Sequence, residues 1–388
     1  MSPQPDPASR APHAVMANRV FDGRGWHDHA AVLIENGRVR GIATAADVPG
    51  DMPVHKLPAG SILTPGFIDL QVNGGGGVLL NDSPTADAMR AIARAHRRYG
   101  TTACLPTLIT DTRDQMRRAI EAAQQASGSD GVLGLHLEGP FLSPQRPGVH
   151  RPDLIATAND EDREWLSGLD RKGHWLVTLA PECVPEGFVK SLTAAGVRVS
   201  AGHSEASAKI MSRAMDEGLT GVTHLFNAMP AMTAREPGIV GTALADARLT
   251  AGLIVDGIHV DPLSVKAAFS AKGAEGIALV TDAMPTVGAK ATRFELMGRT
   301  IMLEQGRLQT ADGTLAGAHL DMASAVRNAV KLAGIALEDA LRAASLTPAK
   351  FMGIESERGA LTSGARADLV ALTGELQVTN TWIGGVSA

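Results

Sequence analysis

Only two cysteines stand in 388 residues, Cys104 and Cys183, too few and too far apart for a disulfide framework or a cysteine-rich zinc site. Their scarcity points to a reducing compartment, and the cytoplasm is the expected location. No stretch approaches the roughly 18 uninterrupted apolar residues of a membrane span. The opening "MSPQPDPASRAPHAV" is proline-rich and lacks the apolar core of a secretion signal, so residues 1–14 are expected to form a disordered tail. Neither sign of charge dominates: 36 basic and 41 acidic residues give −5, interspersed along the chain, which provides no basic field for nucleic acid or anionic lipid. No long-range repeat is visible, and the expected partner is a small molecule.

What the chain does have is 44% hydrophobic residues, enough for a large core. From Val15 to Gly60 the texture is short β, and "AVLIENGRVRGI" sets two alternating runs around Asn36-Gly37, a hairpin signal. After Leu63 the rhythm becomes a short apolar strand, a polar loop and a longer helical pattern, the mark of parallel βα units. Strands are expected at 67–72, 102–106, 132–138, 175–180, 197–201, 220–224, 250–255 and 277–281, and eight of them suggest a closed barrel. The first intervening helix, 84–99, is expected to start from Asp82 or Ser83 with Pro84 in its first turn and to end at Gly100. Its Arg90, Arg94, Arg97 and Arg98 read as a solvated outer face. β texture returns at 298–310, helices follow near 324–332 and 337–344, and short strands close the chain at 367–386. Because each terminal β segment alone would expose an unpaired edge, the two are expected to join in one small sheet domain.

In such a barrel the C-terminal strand ends converge on one face, which carries the chemistry. Those ends offer Gln71 and Asn73, Thr107, Glu138, Glu182, His203, His224, Asp256 with His259, and Asp282. One carboxylate and two imidazoles at the mouth, Glu138 in "GLHLEGPF", His203 in "VSAGHSEA" and His224 in "GVTHLFNAMP", match a zinc-type site with three protein ligands and an open position. Asp282, in "ALVTDAMP", reads either as a helix cap or loop residue, or as a general base beside the metal's water. "HLFNAMP", "AREPGIVG" and "VDGIHVDP" offer Asn227, the Ala228 backbone, Arg235 and His259 as a grip for phosphate or carboxylate. Each could equally be a loop-stabilising, exposed or core residue. The polar loop "FLSPQRPGVHRPD" reads as a plain connection, or as a lid carrying His150 over the site. Many metal-dependent hydrolases carry two histidines one residue apart at the first strand end. Here neutral Gln71 and Asn73 stand instead, in "PGFIDLQVNGGGG". They are expected to be remnants of a second metal position and not ligands, followed by a flexible glycine loop near the substrate.

The ordered series "PGFIDLQVNGGGG", "GLHLEGPFL", "LAPE", "AGHS", "THLFNAMP", "REPGIVG", "VDGIHVD", "LVTDAMP", "DGTLAG" and "LTPAKFMGI" resembles the N-acetylglucosamine-6-phosphate deacetylases of the amidohydrolase superfamily, from about residue 15 to the C-terminus. The resemblance implies an α/β fold, a (β/α)8 TIM-type barrel at 63–351 with a small β-sandwich domain built from both chain ends, 15–62 and 352–388. It implies Glu138, His203 and His224 as ligands of one divalent metal per chain, zinc first and Fe2+, Co2+ or Mn2+ as alternatives, with Asp282 as the catalytic acid and base. The sugar phosphate would be held by Asn227, Ala228, His259 and Arg235, the last reaching in from the partner of a homodimer, with His150 and the backbone of Leu315, Ala316 and Gly317 against the sugar. Ala318 and His319 depart from the small or hydroxyl residues of relatives, and His319 is either a local variation or a residue that reaches the site. The competing reading is another amidase or deaminase of the superfamily acting on an anionic substrate.

Overall fold

The computed structural model describes residues 11–170 and 173–388. Most of the expected tail, residues 1–10, lies outside the described residues, and the first strand starts at His13, inside the stretch read as tail.

Eight strands, Phe67–Val72, Thr101–Ile109, Gly134–Glu138, His174–Leu179, Arg198–Ala201, Gly221–Val222, Thr250–Ile254 and Ile277–Val280, pair in parallel and in sequence order. All eight expected strands are present. Their near-continuous apolar runs are those of strands covered on both faces: every residue of the first three is buried. Helices then wrap the barrel. The first is Ala86–Arg97, and its N-cap is Thr85, whose hydroxyl accepts from the Ala88 N–H at 3.2 Å; Asp82 and Ser83 lie too early to cap it. Three of its arginines also do more than solvate a face. Arg90 donates to Ser129, and Arg94 and Arg97 pair with Asp130, which ties the helix to the next βα turn.

The barrel closes along a seam between the eighth strand and the first. Among the described residues no strand ladder joins the eighth strand to the first. The seam is made instead by individual bonds from the first strand and its continuation, with one isolated parallel bridge between Val72 and Ala283. Asp69 accepts from the Thr281 N–H at 3.2 Å and the Thr281 hydroxyl at 2.5 Å, the Gln71 carbonyl accepts from the Asp282 N–H at 2.9 Å, and Gly74 N–H donates to Ala283 at 2.9 Å.

Strands from both chain ends form one eight-stranded sheet, in which Ile62–Pro65 pairs with His13–Phe21 on one side and with Leu369–Leu372 on the other. Val15, Val32, Ile34, Leu63, Leu369 and Trp382 share a core there, as a β-sandwich domain of both ends requires. At its hairpin, Asn36 and Gly37 both have positive φ, 53° and 72°, which a two-residue turn between twisted strands demands. The β texture at 298–310 belongs to neither unit: Arg293–Leu296, Arg299–Glu304 and Arg307–Gln309 form a separate antiparallel sheet whose Leu296, Ile301 and Leu308 pack on Ile109 and Met284 beside the barrel mouth.

Candidate active site

Glu138 is the last residue of the third strand. His203, His224 and Asp282 each stand two residues beyond a last paired residue: Ala201, Val222 and Val280. Strand pairing therefore stops before His224, not at it. All three residues have left-handed backbones, with φ of 49°, 33° and 52°. That region costs an L residue about 1 kcal/mol or more, so three such residues at one barrel mouth mark a constraint imposed by something other than folding economy.

These turns bring the side chains together. Glu138 Oε1 lies 3.2 Å from His203 Nε2 and 3.0 Å from His224 Nε2, and the two imidazole nitrogens are 3.0 Å apart. His203 Nδ1 donates to the Arg146 carbonyl at 2.8 Å, which in the neutral ring leaves a bare lone pair on Nε2. Three such close atoms can then share only the hydrogen of His224 Nε2. Around a tetrahedral divalent ion with bonds of ~2.0–2.2 Å, three donors would sit roughly 3.3 Å from one another. The trio thus fits a metal better than it fits a hydrogen-bond network.

Glu138, His150 and His203 also present atoms within 4.8 Å of one another. We favour the tighter trio, because His150 Nδ1 is occupied by Thr110, accepting from its N–H at 3.3 Å with its hydroxyl 2.7 Å away. That leaves the proton on His150 Nε2, facing the mouth as a donor. Burial and the nearby His203 push the His150 imidazole down to about 3, so it is neutral at pH 7. Burial works the other way on Glu138, raising its carboxyl, but the adjoining His203 and His224 imidazoles hold it well below the usual carboxylate range.

Asp282 sits beside this cluster. Burial and the Glu138 charge push its carboxyl up to about 6, against the pull of His224 and a hydrogen bond from Asn73. Asn73 Nδ2 donates to Asp282 Oδ1 at 2.6 Å, and Gln71 Nε2 lies 3.1 Å from both Asp282 Oδ1 and Glu138 Oε2. The reading of Asp282 as a helix cap does not hold, since no helix starts there.

A cavity of about 400 Å³ opens above these groups, a volume suited to a sugar phosphate. It is lined by Asn73, His150, Asn227, Ala228, His259, Leu315 and Gly317 among the expected residues. His259 is fixed by Asp256, whose Oδ2 accepts from Nδ1 at 2.6 Å while Oδ1 takes the Ile258 and His259 N–H groups. The Asn227 amide donates at 3.3 Å to the His224 carbonyl, so it also holds its own loop. Several expected residues stay outside. Ala316 packs against Met284 and Leu308, Arg235 is on the exposed loop 231–236 and lines no part of this chain's cavity, and His319 bonds to Thr286 Oγ1 at 2.9 Å away from it. Glu182 braces the turn after His203 through Ser204 and Glu205, and Thr107 lies beneath the mouth against His136.

The glycine run is no loose loop: Gly74–Gly75 pairs with Val78–Leu79, Gly76 and Gly77 donate to Val287 and Pro285, and His96 donates to the Gly74 carbonyl at 2.9 Å. Sequence reasoning missed Gln145, Arg146 and Gly148, which line the cavity from the loop that carries His150. Arg146 acts through its carbonyl, which no side-chain pattern reveals. Gly148 had a signal, because the quoted loop holds a glycine where the chain turns with φ of 55°.

With this geometry in view, the chain belongs to the amidohydrolase family, whose model matches residues 62–387. It is 40% identical to the N-acetylgalactosamine-6-phosphate deacetylase of Shewanella sp. (strain ANA-3), covering 92% of this chain and 91% of that one. It is 34% identical to the N-acetylglucosamine-6-phosphate deacetylase of Haemophilus influenzae, over 92% and 93%. The crystal structure of N-acetylglucosamine-6-phosphate deacetylase from Pasteurella multocida superposes with a TM-score of 0.93 at 32% identity, covering 97% of this chain and 99% of the other.

Proposed function

We propose that this protein removes the N-acetyl group of N-acetyl-D-glucosamine 6-phosphate, giving D-glucosamine 6-phosphate and acetate, in the cytoplasmic breakdown and recycling of amino sugars. The observation that carries the reading is the convergence of Glu138, His203 and His224 within 3.2 Å at the barrel mouth, beside Asp282. These three residues would hold one divalent cation, zinc first with Fe2+, Co2+ and Mn2+ as alternatives. When bound, such an ion lowers the pKa of a water and polarises the amide carbonyl.

The chain's own groups then divide the work. Asp282 takes a proton from the water as it attacks and returns it to the departing amine, so that one carboxyl serves as base and then as acid. His150, neutral and with its proton on Nε2, donates to the carbonyl oxygen as charge develops there. His259, Asn227 and the Ala228 N–H hold the phosphate, the backbone of Leu315 and Gly317 flanks the sugar, and Arg235 enters from the partner chain of a homodimer. The exposure of Arg235 away from its own cavity supports that last assignment.

A second reading, the 4-epimer N-acetyl-D-galactosamine 6-phosphate, is favoured by the 40% and 35% identical relatives that carry that name. Acetate release from both sugar phosphates decides between them: a higher kcat/KM for the galacto epimer would move the assignment there, and no release from either would end it.

A further inference from the structure

Resting on the reading above, the geometry points to Gln71 as a positioning residue that holds the metal-ligand carboxylate and the proton-transfer carboxylate in register. Three observations meet on it. Its carbonyl accepts the Asp282 N–H at 2.9 Å, while its Nε2 is 3.1 Å from Asp282 Oδ1 and 3.1 Å from Glu138 Oε2. Carboxylates only accept, so the amide orientation is settled: the –NH2 group points between the two acids and can give one hydrogen to each. Gln71 itself is 2% exposed and lies behind the cavity wall, where substrate does not reach it.

Asn73 completes the arrangement. Its Nδ2 donates to the same Asp282 Oδ1 at 2.6 Å, while its own Oδ1 is buried with no partner among the described residues. Leaving that acceptor bare carries a desolvation penalty, so the donor is kept at Asp282 against a cost. With two donors on Oδ1, the other oxygen, Oδ2, is the one left to carry the proton. The main-chain bond fixes where Asp282 starts and the side-chain bonds fix how it points, and the left-handed Asp282 backbone is held from the same residue.

The arrangement also explains why neutral amides suit this strand end. Two buried carboxylates that face one another repel, and a shared N–H pair offsets that repulsion without a second cation. Gln71 and Asn73 are then working parts of a single-metal site.

The test compares Gln71→Met, which keeps length and volume but has no N–H, and Asn73→Ala, which frees Asp282 alone, with the wild-type metalloenzyme. For Gln71→Met we expect a melting temperature and KM near wild type, kcat lower by ~10–100-fold, and metal lost to a chelator about 10-fold faster, the usual scale for groups behind a metal ligand. For Asn73→Ala we expect the loss of kcat without faster metal release. Unchanged kcat in Gln71→Met, or a loss that tracks melting temperature and KM together, would overturn the inference; if Gln71→Met does not fold, Gln71→Leu, which also lacks the N–H, replaces it under the same criteria. A wild type that neither binds metal nor releases acetate would count against the proposed function instead.

Discussion

His203 is oriented by a main-chain atom: its Nδ1 donates to the carbonyl oxygen of Arg146, 2.8 Å away. The bond sets the tautomer, and so decides that Nε2 offers a lone pair to the mouth. The Arg146 guanidinium meanwhile pairs with Glu205, so the loop is pinned on both sides of His203.

Gly148, two residues on, is expected to be sensitive for this reason. A Cβ there would stand 3.2 Å from His203 Cε1, on a backbone with φ of 55°. Gly148→Ala should destabilise by about 1 kcal/mol or more and displace the imidazole. Thermal melting together with metal titration checks this, and wild-type metal affinity would show that the loop tolerates the methyl group.

Asp282→Asn should keep its metal and fold while losing at least ~10²-fold in kcat, the scale of a lost general base. Metal analysis beside turnover measures both. Near-full activity would remove Asp282 from the chemistry.

Much of this was legible in advance, and what was not has physical reasons. The eight strands could be read because each is a short apolar run bounded by turns, and the strand ends then placed Glu138, His203, His224 and Asp282 on one face. The barrel seam was not legible. Asp69, Gln71 and Asn73 alternate as strand residues do, but their partners, Thr281 and Asp282, lie over 200 residues away in sequence. Nor could the fixed glycine run be read, because its restraints are main-chain bonds to Pro285 and Val287 and a single imidazole, His96. A polar residue's spacing shows that it shares a face, not what it will bond to.

Asp69 carries a pH signature. Burial pushes its carboxyl up to about 7, against hydrogen bonds from Thr281 and Gln71. A carboxyl raised above its unfolded value of ~3.9 binds more protons in the folded state, so its contribution to stability is complete below pH ~4 and is lost as pH rises through about 7. Asp69→Asn mimics the protonated form, with Nδ2 donating to Thr281 Oγ1. The melting temperature of the variant relative to wild type should therefore rise between pH 5 and pH 8. A difference that stays flat over that range would show that Asp69 does not titrate there.

Arg235→Ala should damage turnover of the phosphorylated sugar far more than that of the unphosphorylated one, because on the proposed assignment the lost contact is to the phosphate. Mixing inactive Asp282→Asn chains with Arg235→Ala chains should restore part of the activity, since one site of each mixed dimer has both residues intact. No recovery in verified mixed dimers would contradict delivery of Arg235 across an interface.

On the proposed function, a single metal held by Glu138, His203 and His224 supports release of acetate from the sugar phosphate. Elemental analysis of the purified protein, read together with acetate release as metal is removed and restored, is the deciding experiment. One divalent ion per chain is expected, with activity returning in proportion to that one equivalent. Two ions per chain, or full activity in metal-free protein, would rule out a single-metal site.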